Sequence, residues 1–201
     1  MRLRNNPLAD EKLKLSNYLV TSFPLIVNKD FVIELAMGKG EMITQLALTN
    51  SNVNYLGVEK SATVALKAAQ RAQTFNLNNF HIICDDIKNL TQLISGQVKV
   101  IWLTFPDPWP KNRHQDRRLT SAGFLNIYKQ LLHREGTLKF KTDNDELFHW
   151  SVKSLQDNGW KILYITNDLH HDDKNTTNVM TGYERKWSSM GKNINYLEAK
   201  F

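Results

Sequence analysis

The strongest constraint on the fold is a regular alternation of short β-rich runs with segments of helical period. The runs that predict strands are residues 31–37, 54–60, 80–86, 98–105, 136–143 and 160–168. The segments with apolar residues at helical spacing are 41–49, 61–75, 120–133 and 145–158. This alternation is typical of an open, largely parallel α/β sheet. Because ligands of such sheets bind beyond the carboxyl ends of the strands, the residues at those ends are the candidates for function.

Length and composition predict one domain spanning residues 1–201. A chain of 201 residues that is 41% hydrophobic can bury a core without disulfides. Cys84 is the one cysteine, so neither an intrachain disulfide nor a cysteine metal cage can form, which fits a reducing cytoplasm. The first residues lack the apolar segment of a signal peptide, and no run has the length of a membrane span. We expect a soluble cytoplasmic protein with no membrane partner.

The charge balance predicts a polyanionic partner. The chain has 26 Lys and Arg against 20 Asp and Glu, a formal net charge of +6, and cations that neutralise phosphates supply much of nucleic-acid affinity. Many ordinary enzymes are also basic, so the positions of the charges are more informative. Arg2 and Arg4 open a basic N-terminal segment, residues 1–25. A second group, the basic cluster, comprises Lys111, Arg113, His114, Arg117 and Arg118.

The first predicted strand runs into a glycine loop, IELAMGKGEMI. Gly38 and Gly40 allow a backbone to approach a ligand and to direct helix N-terminal amides at it, although a plain tight turn is the alternative. Glu34 interrupts an otherwise apolar strand, and a buried carboxylate needs a partner. Ile43 stands where the dinucleotide fingerprint has its third glycine, which disfavours a nicotinamide or flavin dinucleotide.

Carboxylates recur at the ends of the next two strands. Glu59 follows the glycines by roughly 20 residues, a spacing at which a carboxylate accepts hydrogen bonds from a ribose diol. Asp85 and Asp86 end the third strand and suit the amine of an adenine. Each alone would be interpreted as a solvated strand end, but their recurrence favours an adenosine ligand without a pyrophosphate. S-adenosylmethionine is the natural candidate.

The fourth strand leads into the segment FPDPWPKNRHQDRR. Its prolines restrict the loop that carries Asp107, which suits a positioned catalytic group at the lip of the same crevice. A proline-rich turn with a solvated aspartate is the alternative, and the basic cluster is either a phosphate-binding group or a solvated charge run. Trp109 either stacks on a base or packs beneath the loop, and packing is favoured.

Five segments, in their order and spacing, resemble the bacterial tRNA (guanine-N7-)-methyltransferases: IELAMGKG, YLGVEK, FPDPWPKNRHQDRRLTSAGFL, LKFKTDN and TGYERKW. The resemblance covers the whole chain. It implies a Rossmann-like class I S-adenosylmethionine-dependent methyltransferase fold, a mostly parallel seven-stranded sheet with helices on both faces. It also implies methyl transfer to N7 of the variable-loop guanine, guanine-46, of tRNA. The protein would be a monomer or homodimer without an obligatory protein partner, and residues 1–25 would form an arm on the tRNA and cofactor side.

The resemblance also assigns residues. Glu34, Glu59, Asp85 and Asp107 occupy the carboxylate positions that contact the cofactor, and Asp107 is also the catalytic position. Lys111, Asp143, Thr181 and Glu184 occupy substrate-binding positions. The sequence departs from the pattern twice. Ala36 stands where glycine is common, and Asp85 with Asp86 replaces a single aspartate. We favour Asp85 for the adenine contact because it keeps the usual spacing to Asp107.

The sequence alone leaves two other functions open. One is a methyltransferase acting on a small molecule or another RNA, which would not require the basic cluster. The other is a nucleic-acid-binding protein with a vestigial pocket, which would not require the strand-end carboxylates. His170 and His171 lack the spacing of metal ligands, so we interpret them as part of a mobile polar loop and expect no bound metal.

Overall fold

The computed structural model describes residues 6–201, and its centre is a seven-stranded sheet. The strands are β1 (Phe31–Leu35), β2 (Asn54–Val58), β3 (Phe80–Ile83), β4 (Val98–Thr104), β5 (Leu132–Thr142), β6 (Lys161–Thr166) and β7 (Asn195–Lys200). Their order is β3-β2-β1-β4-β5-β7-β6, and only β7 runs antiparallel to its neighbours. Arg2 and Arg4 of the predicted N-terminal segment lie outside the described residues.

The helices connect the strands and cover both faces of the sheet. They are α1 (Ala9–Lys14), α2 (Glu41–Thr49), α3 (Ala62–Thr74), α4 (Leu90–Leu93), α5 (Ala122–Leu131), α6 (Asp145–Asp157) and α7 (Gly182–Ser188). A larger apolar core lies between the sheet and helices α5 and α6, and a smaller core lies between the sheet and helices α1, α2 and α3. The predicted α/β class, with helices on both faces of a mostly parallel sheet, is confirmed. Within the described residues, no helix combines the length and apolar character needed to cross a membrane.

The six strands predicted from residue patterns are all present, and the four predicted helices correspond to α2, α3, α5 and α6. The seventh strand, β7, was implied only by the family resemblance. Four of its six residues are buried, including Asn195 at its start. The strand therefore lacks the alternation of apolar and polar residues that marks a half-exposed strand. Leu197 and Ala199 pack into the larger core, and Tyr196 packs with Leu169 and Ile194 in a third, small apolar cluster, so side chains on both faces of β7 are covered.

The described part of the N-terminal segment is docked on the edge of the sheet. Ala9 and Leu13 of α1 are buried in the smaller core beside the alanines of α3. Residues 18–20 then run parallel to β3: the amide of Ile82 donates to the carbonyl of Tyr18 at 2.7 Å. This segment therefore extends the β3 edge of the sheet.

Candidate active site

The carboxyl ends of the parallel strands surround a cavity of about 360 Å³. Its lining is contributed by the loops that follow β1 to β4 and by α5, and comprises Ala36, Val58, Glu59, Lys60, Asp85, Asp86, Ile87, Lys88, Pro106, Asp107, Trp109, Arg117, Leu119 and Phe124. The volume lies in the range of small-molecule sites. The structure thus brings together carboxylates that sequence analysis selected from three different strand ends.

The glycine loop after β1 depends on left-handed backbone. Ala36, Gly38 and Gly40 have φ values of 51°, 58° and 66°. A Cβ on Gly40 would lie 2.8 Å from the Cβ of Ala68, whereas a Cβ on Gly38 would meet no atom within 4 Å. Gly40 therefore permits the contact between α2 and α3, and Gly38 leaves open space along the loop. Residue 36 also has left-handed backbone, which glycine adopts without a steric penalty, so the glycine of the resembled pattern would fit at this position.

Glu59 fastens this loop to the end of β2. Its Oε2 accepts a hydrogen bond from the Gly38 amide at 3.2 Å, and its Oε1 accepts one from the Ser61 amide at 2.9 Å. Burial raises the pKa of the Glu59 carboxyl, the two amides oppose that shift, and the charge of Asp107 adds to it. Each oxygen has a second lone pair, so the carboxylate can hold the loop and still accept bonds from a ligand.

Glu34 lies outside the cavity lining. Its side chain is 2% exposed, and its Oε2 has no hydrogen-bond partner. Burial raises the pKa of Glu34 to about 7, against the opposing effects of the Thr104 hydroxyl, the Lys141 ammonium and the Ile43 amide. The carboxyl group therefore sits beneath the first turn of α2. Its contact with a cofactor remains a prediction.

Asp85 and Asp86 both line the cavity, and both also bind their own loop. Asp85 Oδ1 accepts from the Asp86 amide at 2.6 Å and from Asn89 Nδ2 at 2.7 Å. Asp86 Oδ1 accepts from the Lys88 amide at 3.0 Å and caps the short 3-10 helix Ile87–Asn89. Asp85 is half-buried, whereas Asp86 is exposed.

The loop carrying Asp107 is bounded by two residues with unusual backbone. Phe105 and Trp109 have φ values of 48° and 42°, and left-handed aromatic residues are strained unless the surroundings hold them. The amide of Phe105 donates to the carbonyl of Lys141 at 2.9 Å. At the other end, Nε and Nη2 of Arg118 both donate to the carbonyl of Trp109, at 3.3 and 3.1 Å. Asp107 itself is exposed between these two fixed points.

The basic cluster divides into two groups. Arg118 is 8% exposed, and its guanidinium lies 4.5 Å from the centre of the Trp150 ring, so it secures the loop to α6. Lys111, Arg113 and Arg117 are exposed, and His114 is half-buried. Of these, Arg117 also lies over the Trp109 ring at 5.0 Å.

The Trp109 ring has protein neighbours on two sides. Arg117 covers one face, and the His114 ring meets it edge-on at a centroid distance of 5.8 Å. The side chain is half-buried and forms part of the cavity wall. These contacts agree with the packing interpretation, which sequence analysis favoured over base stacking.

The remaining predicted substrate residues lie on the β5 side of the crevice, outside the cavity lining. Asp143 follows β5 and accepts a hydrogen bond from the Tyr183 hydroxyl at 3.3 Å. Thr181 and Glu184 form a capping box at the start of α7 and are both buried. Glu184 contacts the Lys141 ammonium at 2.7 Å and Nε2 of His170 at 2.9 Å.

His170 corrects one sequence interpretation. Residues 169–171 form a 3-10 helix, and the His170 ring bonds both Glu184 and the Ser188 hydroxyl, the latter at 2.8 Å. The prediction of a mobile polar loop is therefore wrong for His170, because partners distant in the sequence bind both ring nitrogens. Within residues 6–201, no three His, Cys, Asp or Glu side chains are grouped as a metal site would require.

Sequence analysis missed two residues at this side of the crevice, Lys141 and Tyr183. Lys141 lies in β5 and is fully buried, although lysine is rarely found there without a partner. Residues 138–141 alternate apolar and basic side chains, a pattern that predicts Lys141 on the polar face, so the sequence contains no signal of its burial. Tyr183 lies within the segment TGYERKW and is 47% exposed at the crevice. No pattern in the sequence distinguishes it from other surface tyrosines.

The strand order, the glycine loop and the strand-end carboxylates define a class I S-adenosylmethionine-dependent methyltransferase. Solved structures with this fold include the 16S rRNA methyltransferase KamB, with a TM-score of 0.66 at 12% identity, covering 99% of this chain and 95% of that one. Another is the 16S rRNA (adenine(1408)-N(1))-methyltransferase from Catenulisporales acidiphilia, with a TM-score of 0.62 at 14% identity, covering 99% and 95%. At these identities the likeness shows the fold alone.

The particular family follows from sequence comparison. Residues 28–197 match the family described as "Putative methyltransferase". Proteins named tRNA (guanine-N(7)-)-methyltransferase from Mycoplasma mobile and Mesomycoplasma hyopneumoniae are 50% and 51% identical over 201 residues, covering all of both chains. The chain belongs to the tRNA (guanine-N7-)-methyltransferase family and is an enzyme, as the resemblance indicated.

Proposed function

We propose that this enzyme transfers a methyl group from S-adenosylmethionine to N7 of guanine-46 in the variable loop of cytoplasmic tRNA. The single observation that carries the proposal is the cavity that joins Glu59, Asp85 and Asp107 from three strand ends directly beside the exposed cations of the basic cluster. The names of the full-length relatives support the same substrate. The enzyme would act as a single domain without an obligatory protein partner, as a monomer or a homodimer.

The cavity suits S-adenosylmethionine in size and in the character of its walls. Val58, Ile87, Leu119 and Phe124 supply apolar surface for a purine and its ribose, and charged side chains, which make up half of the lining residues, supply the polar groups. Glu59 would accept from the ribose hydroxyls, and Asp85 is favoured over Asp86 for the adenine amine. The open space at Gly38 would receive the methionine part, Gly40 would shape the loop by its close packing against Ala68, and Glu34 would support the loop from beneath.

The reaction depends more on the alignment of the methyl group with guanine N7 than on proton transfer. When bound, S-adenosylmethionine supplies a sulfonium methyl group that is open to direct displacement. Guanine N7 has a lone pair and no proton, so no side chain has to act as a base at that atom. Methylation leaves positive charge on the purine, which an adjacent carboxylate favours. Asp107, exposed between two fixed backbone points, would orient the guanine and stabilise that charge.

Positively charged side chains around the crevice would bind the phosphates of the tRNA. Lys111, Arg113 and Arg117 are exposed next to Asp107 and can reach phosphates that flank the target base, and half-buried His114 lies among them. Asp143, Thr181 and Glu184 complete the substrate side that the resemblance implies. Arg118 would contribute indirectly, because it holds the Trp109 carbonyl and so the loop. We also propose that the arm formed by residues 1–25 lies on the tRNA and cofactor side.

Incubation of the full-length protein with methyl-labelled S-adenosylmethionine and unmodified tRNA tests the function. Strand scission at N7-methylguanine then maps the modified position. We expect label at the variable-loop guanine, and a transcript with adenine at that position serves as the matched control. Label on another base, on a small molecule only, or on neither would refute the proposal.

A further inference from the structure

One exposed aromatic side chain stands at the mouth of the crevice without an assigned role. Tyr183, in the first turn of α7, is 47% exposed. Its hydroxyl donates to the Asp143 carboxylate at 3.3 Å, and its ring packs against Phe105 at a centroid distance of 5.1 Å. Phe105 is the residue that begins the Asp107 loop, and the charge of Asp107 contributes to raising the pKa of Tyr183, behind burial and Asp143. The ring therefore lies beside Asp143 and beside the residue that begins the Asp107 loop.

Buried ion pairs and hydrogen bonds of the neighbouring residues hold the turn that carries Tyr183. Glu184, in the same turn of α7, has a fully buried side chain that contacts the Lys141 ammonium at 2.7 Å, Asn178 Nδ2 at 2.8 Å and His170 Nε2 at 2.9 Å. Thr181 completes the turn as the N-cap, and the Gly182 amide donates to Glu41 Oε2 at 2.6 Å. These contacts tie α7 to β5 and to α2 at once.

Thr181 and Glu184 direct their polar atoms into the protein. The Thr181 hydroxyl accepts from the Glu184 amide at 3.1 Å, and the Glu184 carboxylate accepts from the Thr181 amide at 3.4 Å. Both side chains are buried, whereas Tyr183 between them is exposed. The segment TGYE thus presents the tyrosine outward and uses the residues on either side to anchor it.

Resting on the proposed function, we infer that the Tyr183 ring is the surface on which the target guanine stacks, and that Thr181 and Glu184 act as positioning residues beneath it. A purine presents a π face to an aromatic ring whatever its sequence context, and stacking of this kind is a main source of affinity for unpaired bases. The Tyr183 hydroxyl lies 3.3 and 3.4 Å from the Asp143 oxygens, long for a bond between a hydroxyl and a carboxylate, so the ring and not the hydroxyl carries the proposed role.

Replacement of the ring tests the stacking role. Tyr183→Leu keeps side-chain bulk and removes the aromatic face, so kcat/KM for tRNA should fall about five- to a hundredfold. Tyr183→Phe should stay within about twofold of the wild type. The dissociation constant for S-adenosylmethionine, measured by calorimetry, should be unchanged in both. Tyr164→Leu is the matched control, because it also removes a tyrosine hydroxyl that donates to an aspartate, Asp172, but on β6.

Two outcomes would overturn the stacking role alone while the wild type methylates tRNA. One is full activity of Tyr183→Leu, and the other is an equal loss in Tyr183→Phe, which would assign the effect to the hydroxyl. A wild type that leaves tRNA unmethylated would refute the proposed function itself, and this inference with it. Melting temperatures identify any variant whose fold is damaged, and tRNA binding by the folded Tyr183→Phe then decides between ring and hydroxyl.

The positioning role has its own test in a double-mutant cycle. If Glu184 acts through Tyr183, Glu184→Gln should lower kcat/KM for tRNA with little change in S-adenosylmethionine affinity. The combined Tyr183→Leu and Glu184→Gln protein should then be no slower than the slower single variant. Losses that multiply would show that Glu184 serves the reaction independently of the tyrosine.

Discussion

The buried carboxyl group of Glu34 predicts a specific pH dependence of stability. Its pKa is raised from 4.5 to about 7, chiefly by burial. Between these two values the folded protein keeps the proton and the unfolded chain releases it, so the free energy of unfolding falls as pH rises. Above pH 7 the carboxylate is buried as an anion in the fold. The difference between the two pKa values corresponds to about 3 kcal/mol of folding free energy. The folded protein loses this stabilisation as the pH rises from below 4.5 to above 7.

Glu34→Gln removes the ionisation and preserves the size of the side chain. The free energy of unfolding of this variant, minus that of the wild type, should rise by about 3 kcal/mol between pH 4.5 and pH 7.5. Denaturant titrations of the protein without cofactor at several pH values measure this difference directly. Glu135→Gln, at an exposed glutamate of β5, provides a surface control. A difference that stays constant over the whole pH range would refute the reasoning, because it would mean that Glu34 ionises as an ordinary glutamate.

Three further predictions concern the proposed site. Asp107→Asn keeps the shape of an exposed side chain, so it should lower turnover about 10² to 10³-fold in single-turnover assays with saturating substrates; near-normal turnover would make Asp143 the next residue to test. Glu59→Ala should weaken S-adenosylmethionine binding by about 1 to 3 kcal/mol in calorimetry, because the ribose and the Gly38 amide lose a charged acceptor, and an unchanged dissociation constant would remove Glu59 from the site. Arg117→Ala should flatten the salt dependence of tRNA binding by a log-log slope of about 1, whereas Arg118→Ala should lower the melting temperature and leave the slope unchanged. The reverse pattern would contradict the division of the basic cluster.

The strand-end residues could be predicted from the sequence because one topological rule connects them. Parallel strands deliver their carboxyl ends to one edge of the sheet, so residues that end successive strands meet in space. Glu59, Asp85 and Asp107 follow three such strands, and all three line the observed cavity. The strand positions, in turn, follow from apolar runs that are local in sequence.

The roles of neighbouring charges could not be predicted in the same way. Arg117 and Arg118 are adjacent in one charge run, yet Arg117 is exposed and Arg118 is buried against Trp150. The buried partners of Glu184 are 14 and 43 residues away along the chain, at His170 and Lys141. Neither periodicity nor composition encodes such pairs, because they depend on where the tertiary fold places α7 against β5.

The position of β7 has a consequence for the order in which the two halves of the site are completed. The cavity wall is built from residues 36–124, which the ribosome delivers well before residues 195–200. Strand β5, which leads into Asp143 and carries Lys141, gains its outer neighbour only when β7 inserts between β5 and β6. The strand that completes this side of the sheet therefore becomes available only after every residue of the cavity lining has been synthesised. A nascent chain can therefore assemble the pocket for the methyl donor while the wall for the acceptor base still awaits the last strand.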